Sequence, residues 1–296
     1  MGDGVQRLTA EVVLDARSQL GECPRWDDRT DELLWVDILA GEVHRFDPAS
    51  GRDVAIALGR HVGAVATRAS GGWVVAAREG FASVDASGAH APLVHVLADD
   101  PGARFNDGRV DRAGRFWAGT MPYDLSPGRG ALHRLDPDGL VHPVVEGTWL
   151  ANGIDWSPDD RRMYFADSLT GTVDVFDFHP GEGLVERRRR LATIDPSVGL
   201  PDGLVVDTDG AVWVAISGAG CVHRYAPDGR LIALVDVPGA LQVSAAGFGG
   251  PALDVLYITT TREHLGPAEL ADQPGAGAIY AVDPGVSGLP TTAYAG

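Results

Sequence analysis

Cysteine is nearly absent from this chain: Cys23 and Cys221 are the only two in 296 residues. Two thiols are too few for a disulfide framework or a thiolate metal site. A reduced, cytoplasmic protein is the simplest expectation, with the pairing of the two thiols left open. No apolar run is long enough to span a bilayer, so no membrane partner is expected. The first residues, MGDGVQRLTAEVVLDARS, lack the basic segment followed by an apolar stretch that marks a secretory signal. Positive charge is also scarce, with 24 Lys and Arg against 41 Asp and Glu and a formal net charge of −17. Nucleic-acid affinity rests mostly on cationic side chains neutralising phosphates, which excludes that partner class. A field of this sign favours solubility and attracts cations.

Helical signals are missing too. No segment combines caps with a 3.6-residue apolar period, and the aperiodic stretch REHLGPAELADQPGAGA at 262–278 reads as a loop. What recurs instead is a short β-rich run: LLWVD at 33–37, GWVVA at 72–76, RFWAG at 115–119, RMYFA at 162–166, AVWVA at 211–215 and VLYIT at 255–259. Their aromatics, Trp35, Trp73, Trp117, Tyr164, Trp213 and Tyr257, are separated by 38, 44, 47, 49 and 44 residues. A second run follows each: VHRFD at 43–47, FASVD at 81–85, LHRLD at 132–136, VDVFD at 173–177, VHRYA at 222–226 and IYAVD at 279–283. Most of these end in turn chemistry such as DPASG or DPDG.

One supersecondary unit thus repeats six times with a period in the forties. Such units bury their faces by packing radially, which predicts an all-β chain forming a six-bladed β-propeller of four-stranded antiparallel blades. A β-sandwich would have to match two registers in every repeat by coincidence. A ring must close to hide its sheet edges. The leftover strand at about 8–16 is expected to complete the last blade beside IYAVD, making 1–296 a single domain.

A residue present in every copy of a repeat is architectural. His44, His133 and His223 look like a metal trio, but each fills the same slot of its own repeat, so they belong far apart. VERRRRL at 185–191 reads as a solvated outer face. The informative slot lies eleven to thirteen residues before the repeat aromatic, where the innermost strand begins. It holds Glu22 in blade one, Arg104 and Asn106 in blade three, Asn152 in blade four and Asp202 in blade five, whereas blades two and six carry HVGAVA and VSAAGF. Innermost strands line the axis, so these residues converge on one end of the channel. Neighbouring glycines permit close backbone approach and unusual dihedrals. Glu22, Asn152 and Asp202 together offer two carboxylates and an amide carbonyl, a set suited to one hard divalent cation, Ca²⁺, Mg²⁺ or Mn²⁺, with Zn²⁺ also open.

At these residues the chain resembles the family of senescence marker protein 30 (regucalcin), gluconolactonase and luciferin-regenerating enzyme. The resemblance is carried by LGECPRWD (20–27), RFNDGRVDRAGRFWAGTM (104–121), NGIDWSPDDRRMYFADS (152–168), PDGLVVDTDGAVWVA (201–215) and the carboxy-terminal AGFGG…LYITTTRE…PGAGAIYAV. These pieces span almost the whole chain in order, and the RxNDGxxD…GRxWxGTM block is highly specific. The resemblance implies a six-bladed propeller with one catalytic divalent metal in its axial channel, ligated by Glu22, Asn152 and Asp202. It implies that Arg104 and Asn106 contact substrate. The family's activity is hydrolysis of sugar lactones, and some members act on other esters or phosphotriesters. An acidic residue shortly after GTM touches the sugar in many animal members, a role that Asp124 of GTMPYD would take here.

Lactone hydrolysis needs an activated water and a stabilised oxyanion, both within reach of a metal ion. Asp202 is the expected general base, and Arg104 the expected stabiliser of developing charge. A serine hydrolase is disfavoured because no G-x-S-x-G elbow is present. A nucleotide site is disfavoured because GAGAIY at 275–280 lacks the third glycine and its helix. The small-molecule partner expected is a sugar lactone, acted on by a monomer or weak homo-oligomer. The competing readings are a metal-dependent esterase or phosphotriesterase and a non-catalytic calcium-binding regulatory propeller.

Overall fold

The computed structural model describes residues 4–296; residues 1–3, where the segment read for a signal sequence begins, lie outside the described residues. The six aromatic runs are the second strands of six sheets, and the runs that follow them are the third strands. Trp35, Trp117, Trp213 and Tyr164 are at most 1% exposed, because second strands are covered on both faces by neighbouring blades. Burial falls outward: the second strand Trp73–Ala77 is buried throughout, while the fourth strand of the same blade, His90–His95, is mostly exposed. This explains why the second strands read as continuous apolar runs rather than alternating ones.

The Asp of each NDGxxD-type segment is part of the same frame. Asp111 accepts bonds from the backbone nitrogens of Ala113 and Arg115 and from Trp117 Nε1 at 2.8 Å. Asp207 does the same for Asp209, Ala211 and Trp213. Both carboxylates are fully buried. They close the hairpin turn and satisfy the indole, so this half of the motif is architectural.

The inner strands are Gly21–Asp27, Val62–Thr67, Ala103–Val110, Ala151–Trp156, Leu200–Val206 and Val243–Gly249. Each contacts the next, and the last returns to the first, so the ring is closed around an axial channel. Five sheets have four strands, and the fifth blade carries an extra one. The N-terminal segment divides its pairing between two blades. Gln6–Thr9 lies parallel to Leu231–Asp236 of blade five, and Glu11–Leu14 lies antiparallel to Ile279–Val282 of blade six. The stretch read as one strand is therefore two, stitching the ring shut on both sides of a seam.

The loop expected over 262–278 contains a short helix, Pro267–Asp272. Pro267 is preset for the first helical position, and Glu269 turns back to accept the Gly266 backbone N–H. Six residues are too few to show a helical period in sequence. Among the described residues no helix is long and apolar enough to cross a membrane.

Candidate functional site

Every inner strand carries a one-residue bulge near its start, where two neighbouring pairs span one residue more on the inner strand than on its partner. In blade one the shift falls between Glu22 and Arg25, in blade three between Phe105 and Gly108, in blade four between Ala151 and Ile154, and in blade five between Pro201 and Leu204. Asn106, Asn152 and Asp202 therefore sit in the bulges, and Glu22, paired with Val36, is the residue that enters the bulge at Cys23 and Pro24. A bulge breaks the strict alternation of side chains and re-aims them. Here it turns the polar side chains of four blades into the channel.

The glycines act by size alone. A Cβ on Gly153 would collide with the Leu204 backbone nitrogen, and one on Gly203 would come within 2.5 Å of the Ala245 Cβ. Neither Gly153, Gly203 nor Gly108 has a positive φ, so the expected unusual dihedrals are absent there. The strained position is Cys23 in the bulge of blade one, with φ 53°. Blade two has Gly63 in its bulge, and blade six has Ser244, whose hydroxyl is taken up by the Gly21 carbonyl. A Cβ on Gly63 would collide with the Asn106 carbonyl, and one on Gly247 with the Pro24 carbonyl. These two blades let their polar neighbours approach.

Glu22, Arg104, Asn106, Asn152 and Asp202 all line one cavity of about 350 Å³ at the mouth of the channel. Glu22, Asn106, Asn152 and Arg104 are at most 5% exposed. Asn152 Nδ2 donates to Ser168 Oγ at 3.0 Å, which directs its carbonyl oxygen away from that partner. Asn106 donates to the Ala151 carbonyl at 3.2 Å and accepts from Arg104 Nη1 at 2.7 Å. Arg104 Nη1 also reaches the Phe105 carbonyl. No protein bond is recorded among the described residues for Arg104 Nε or Nη2.

Three oxygens at this floor, Glu22 Oε2, Asn152 Oδ1 and Asp202 Oδ1, are buried without a hydrogen-bond partner. Orphaned buried oxygens are costly, and charged ones more so. Burial pushes the Glu22 carboxyl well above the usual range, and the Asp202 and Asp107 charges push it further. Asp202 is raised likewise, by burial first and the Asp107 charge second. A divalent cation fits this set, because it would supply the missing partner to all three oxygens and favour both carboxylates in their charged form. No three His, Cys, Asp or Glu side chains gather at one point among the described residues. The cluster owes its third oxygen to an amide.

Asp124 is not brought to the cavity. Its carboxylate caps its own loop through the Ser126 backbone N–H and stands 3.9 Å from Arg129, and the side chain is 63% exposed. Tyr123 and Leu125 on either side of it line the cavity instead. The three repeat histidines stay in separate blades. His44 stacks on Trp35 and bonds to Asp53, His133 packs edge-on against Phe105, and His223 bonds to Tyr225. Both cysteines are free and buried, and burial lifts each thiol to about 11, far from the reactive thiolate form.

Two supporting residues escaped the sequence reading. Asp37, at the end of blade one's second strand, accepts the backbone N–H groups of Gln19 and Leu20. Asp167 occupies the matching place in blade four and accepts those of Trp149 and Leu150. Each pins the chain just before a floor residue, Glu22 or Asn152. The signal was present as the shared terminal Asp of LLWVD and YFAD.

Comparison with known proteins places the fold in a family. Residues 20–262 match the model of the SMP-30/Gluconolactonase/LRE-like region. Regucalcin of Danio rerio is 36% identical over 293 residues, spanning 98% of this chain and 99% of that protein. Regucalcin of Homo sapiens is 34% identical over 297 residues, with the same coverage. Among solved structures, the calcium-binding protein regucalcin from Agrobacterium tumefaciens superposes with a TM-score of 0.93 at 29% identity, over 98% of each chain. A luciferin-regenerating enzyme superposes with a TM-score of 0.90 at 28% identity, over 97% of this chain and 99% of that one. With a matching family region that takes in every floor residue, and full-length relatives above 30% identity, the chain belongs to the SMP-30/gluconolactonase/LRE-like family.

Proposed function

We propose that this protein is a divalent-cation-dependent lactonase whose cation is held by Glu22, Asn152 and Asp202. The observation that carries the reading is the trio of orphaned buried oxygens on one cavity floor. Hard oxygen donors favour Ca²⁺, Mg²⁺ or Mn²⁺ over Zn²⁺. Such a cation supplies Lewis acidity toward a carbonyl oxygen and acidifies water. The protein's own groups do the rest. Asp202 takes the proton from the attacking water as general base. Arg104, anchored through Nη1 to Asn106 and Phe105, turns its free N–H groups to the substrate's oxygens, where negative charge develops. Asn106 holds that guanidinium in place and lines the same wall.

The test is a lactone panel, with D-glucono-δ-lactone as reference sugar lactone, read by proton release before and after chelation. Chelation should abolish turnover, added divalent cation should restore it, and the circular-dichroism spectrum should stay that of an all-β protein. Full turnover after exhaustive metal removal, confirmed by elemental analysis, would falsify the reading. The relative from Agrobacterium tumefaciens is described as calcium-binding, which favours a second reading, a Ca²⁺-binding propeller without turnover. Cation binding with no hydrolysis of any lactone or ester would select it. Two buried, free thiols suit a reducing cytoplasm.

A further inference from the structure

The cavity has two tiers of opposite character. The floor holds the charged and amide groups described above. Two residues before three of them, at Leu20, Leu150 and Leu200, the chain places leucine on the same cavity. Leu20 and Leu150 immediately precede their inner strands and Leu200 begins its own, so these leucines form a collar where the chain enters the cavity ahead of Glu22, Asn152 and Asp202. In blade three the same offset from Asn106 holds Arg104, the one polar break in the collar. Leu39, Leu125 and Leu169 extend the apolar wall, and Leu125 is 45% exposed at the rim.

Several of the wall's polar groups are already engaged. Ser217 Oγ donates to Gln242 Oε1 at 3.0 Å, the Thr261 hydroxyl donates to the Gln19 carbonyl, and the Tyr123 hydroxyl meets His61 Nδ1 at 2.7 Å. Apart from Arg104, the ionisable groups left on the wall are Glu263 and the exposed His264, which lie 3.6 Å apart and face each other. The carboxylate at Asp124, which would have met sugar hydroxyls, is turned to solvent, and its place at the cavity is taken by Tyr123 and Leu125. A polyhydroxylated ring would bring hydroxyl groups against leucines that offer them nothing. An alkyl or aryl substituent would be desolvated there at a gain.

Resting on the lactonase reading, we infer that the preferred substrate is a lactone bearing an apolar substituent several carbons long, with the ring on the floor and the substituent against the leucine collar. Burial of a methylene is favourable enough that each added carbon should raise kcat/KM about fourfold until the wall is filled. A collar that merely packs the propeller would give no such slope.

The experiment uses the cation-loaded protein and a series of γ-lactones with side chains from methyl to hexyl, alongside D-glucono-δ-lactone. Expected is a kcat/KM that climbs with chain length and exceeds that for gluconolactone by at least tenfold at the longest members. The Leu125→Ala/Leu169→Ala double variant should lose about half of the slope. If gluconolactone is turned over and the alkyl series is flat or slower, the inference is overturned while the lactonase reading stands. If no lactone is turned over, the lactonase reading fails, and calorimetric titration of the same γ-lactones decides the inference separately. Affinity rising with chain length supports an apolar occupant; affinity independent of length overturns it.

Discussion

At the far end of the axis, Arg25 stands 3.3 Å from Asp107 and Arg109 stands 3.2 Å from Asp155. Arg25 also donates to the carbonyls of Pro24 and Gly108, and Asp155 accepts the backbone nitrogens of Trp156 and Val206. Only about 40 Å³ of space is left there, under a C-terminal segment whose Thr291 hydroxyl donates to the Trp26 carbonyl. At the mouth, on the same inner strands, Glu22 and Asp202 make no ion pair among the described residues, and the cavity is about 350 Å³. Both ends bury charge. One end neutralises it within the protein, as a structure must; the other leaves it waiting for something from outside. Buried charge left unpaired is therefore the mark of function here.

The largest effect should come from breaking the paired end. Arg25→Met keeps the length of the side chain but strands Asp107 in a dry channel. Removing one partner of a buried pair typically costs about 3–5 kcal/mol, read by urea denaturation of the cation-free protein. An unchanged midpoint would mean that the far end is not the structural plug described.

The same kind of change at the mouth should do the reverse to stability. Asp202→Asn removes one of two unpaired buried carboxylates, so the cation-free melting temperature should rise. Under saturating cation, kcat should nonetheless fall by at least ~10²-fold, the lower figure for loss of a general base. A lower melting temperature with near-wild-type kcat would instead make Asp202 a bulge former and nothing more.

A smaller effect is expected one step back from the floor. Asp167→Asn keeps the shape but weakens the grip on the Trp149 and Leu150 nitrogens that set the approach to Asn152. Loss of a group that orients a ligand typically costs 10–100-fold in metal affinity. About tenfold, by calorimetric titration with Ca²⁺ or Mn²⁺, is expected, with kcat at saturation nearly kept. A matching loss in kcat alone would place Asp167 in the chemistry rather than in support of it.

The smallest effect belongs to a buried group outside both ends. Burial alone pulls the His133 imidazole down to about 4, against roughly 6.5 in an unfolded chain. Between those values the unfolded chain holds a proton that the native state does not, so stability declines as pH falls from about 6.5 to 4. His133→Gln should flatten that part of the pH–stability curve without touching cation affinity. An unaltered curve would assign the acid sensitivity elsewhere.

Much of this was legible beforehand for a physical reason. The blades follow from a period in the forties and from turn residues, both properties of local sequence. The floor residues showed themselves because a repeat exposes what differs between its copies: a slot that is Glu, Asn or Asp in four blades and Gly or Ser in two has been put to another use. The same logic kept His44, His133 and His223 out of the site. It erred where direction mattered. Asp124 lies in the expected sequence position, but its loop turns the carboxylate to solvent and Tyr123 and Leu125 to the cavity.

By itself, then, the sequence determined the blades, their number and the chemical types available at the channel mouth, since propensity, alternation and turn chemistry act over a few residues. The tertiary structure decided the rest. Register across strands placed Asn152 and Asp202 in bulges and Glu22 beside one, and aimed them inward. Ring closure split the N-terminal segment between two blades. Packing of blade against blade paired Arg25 with Asp107, more than eighty positions away in the chain, and left the two carboxylates at the mouth unpaired. Where a side chain points, and whether its charge is met, depends on the strand and blade opposite, and no local stretch of sequence contains that neighbour.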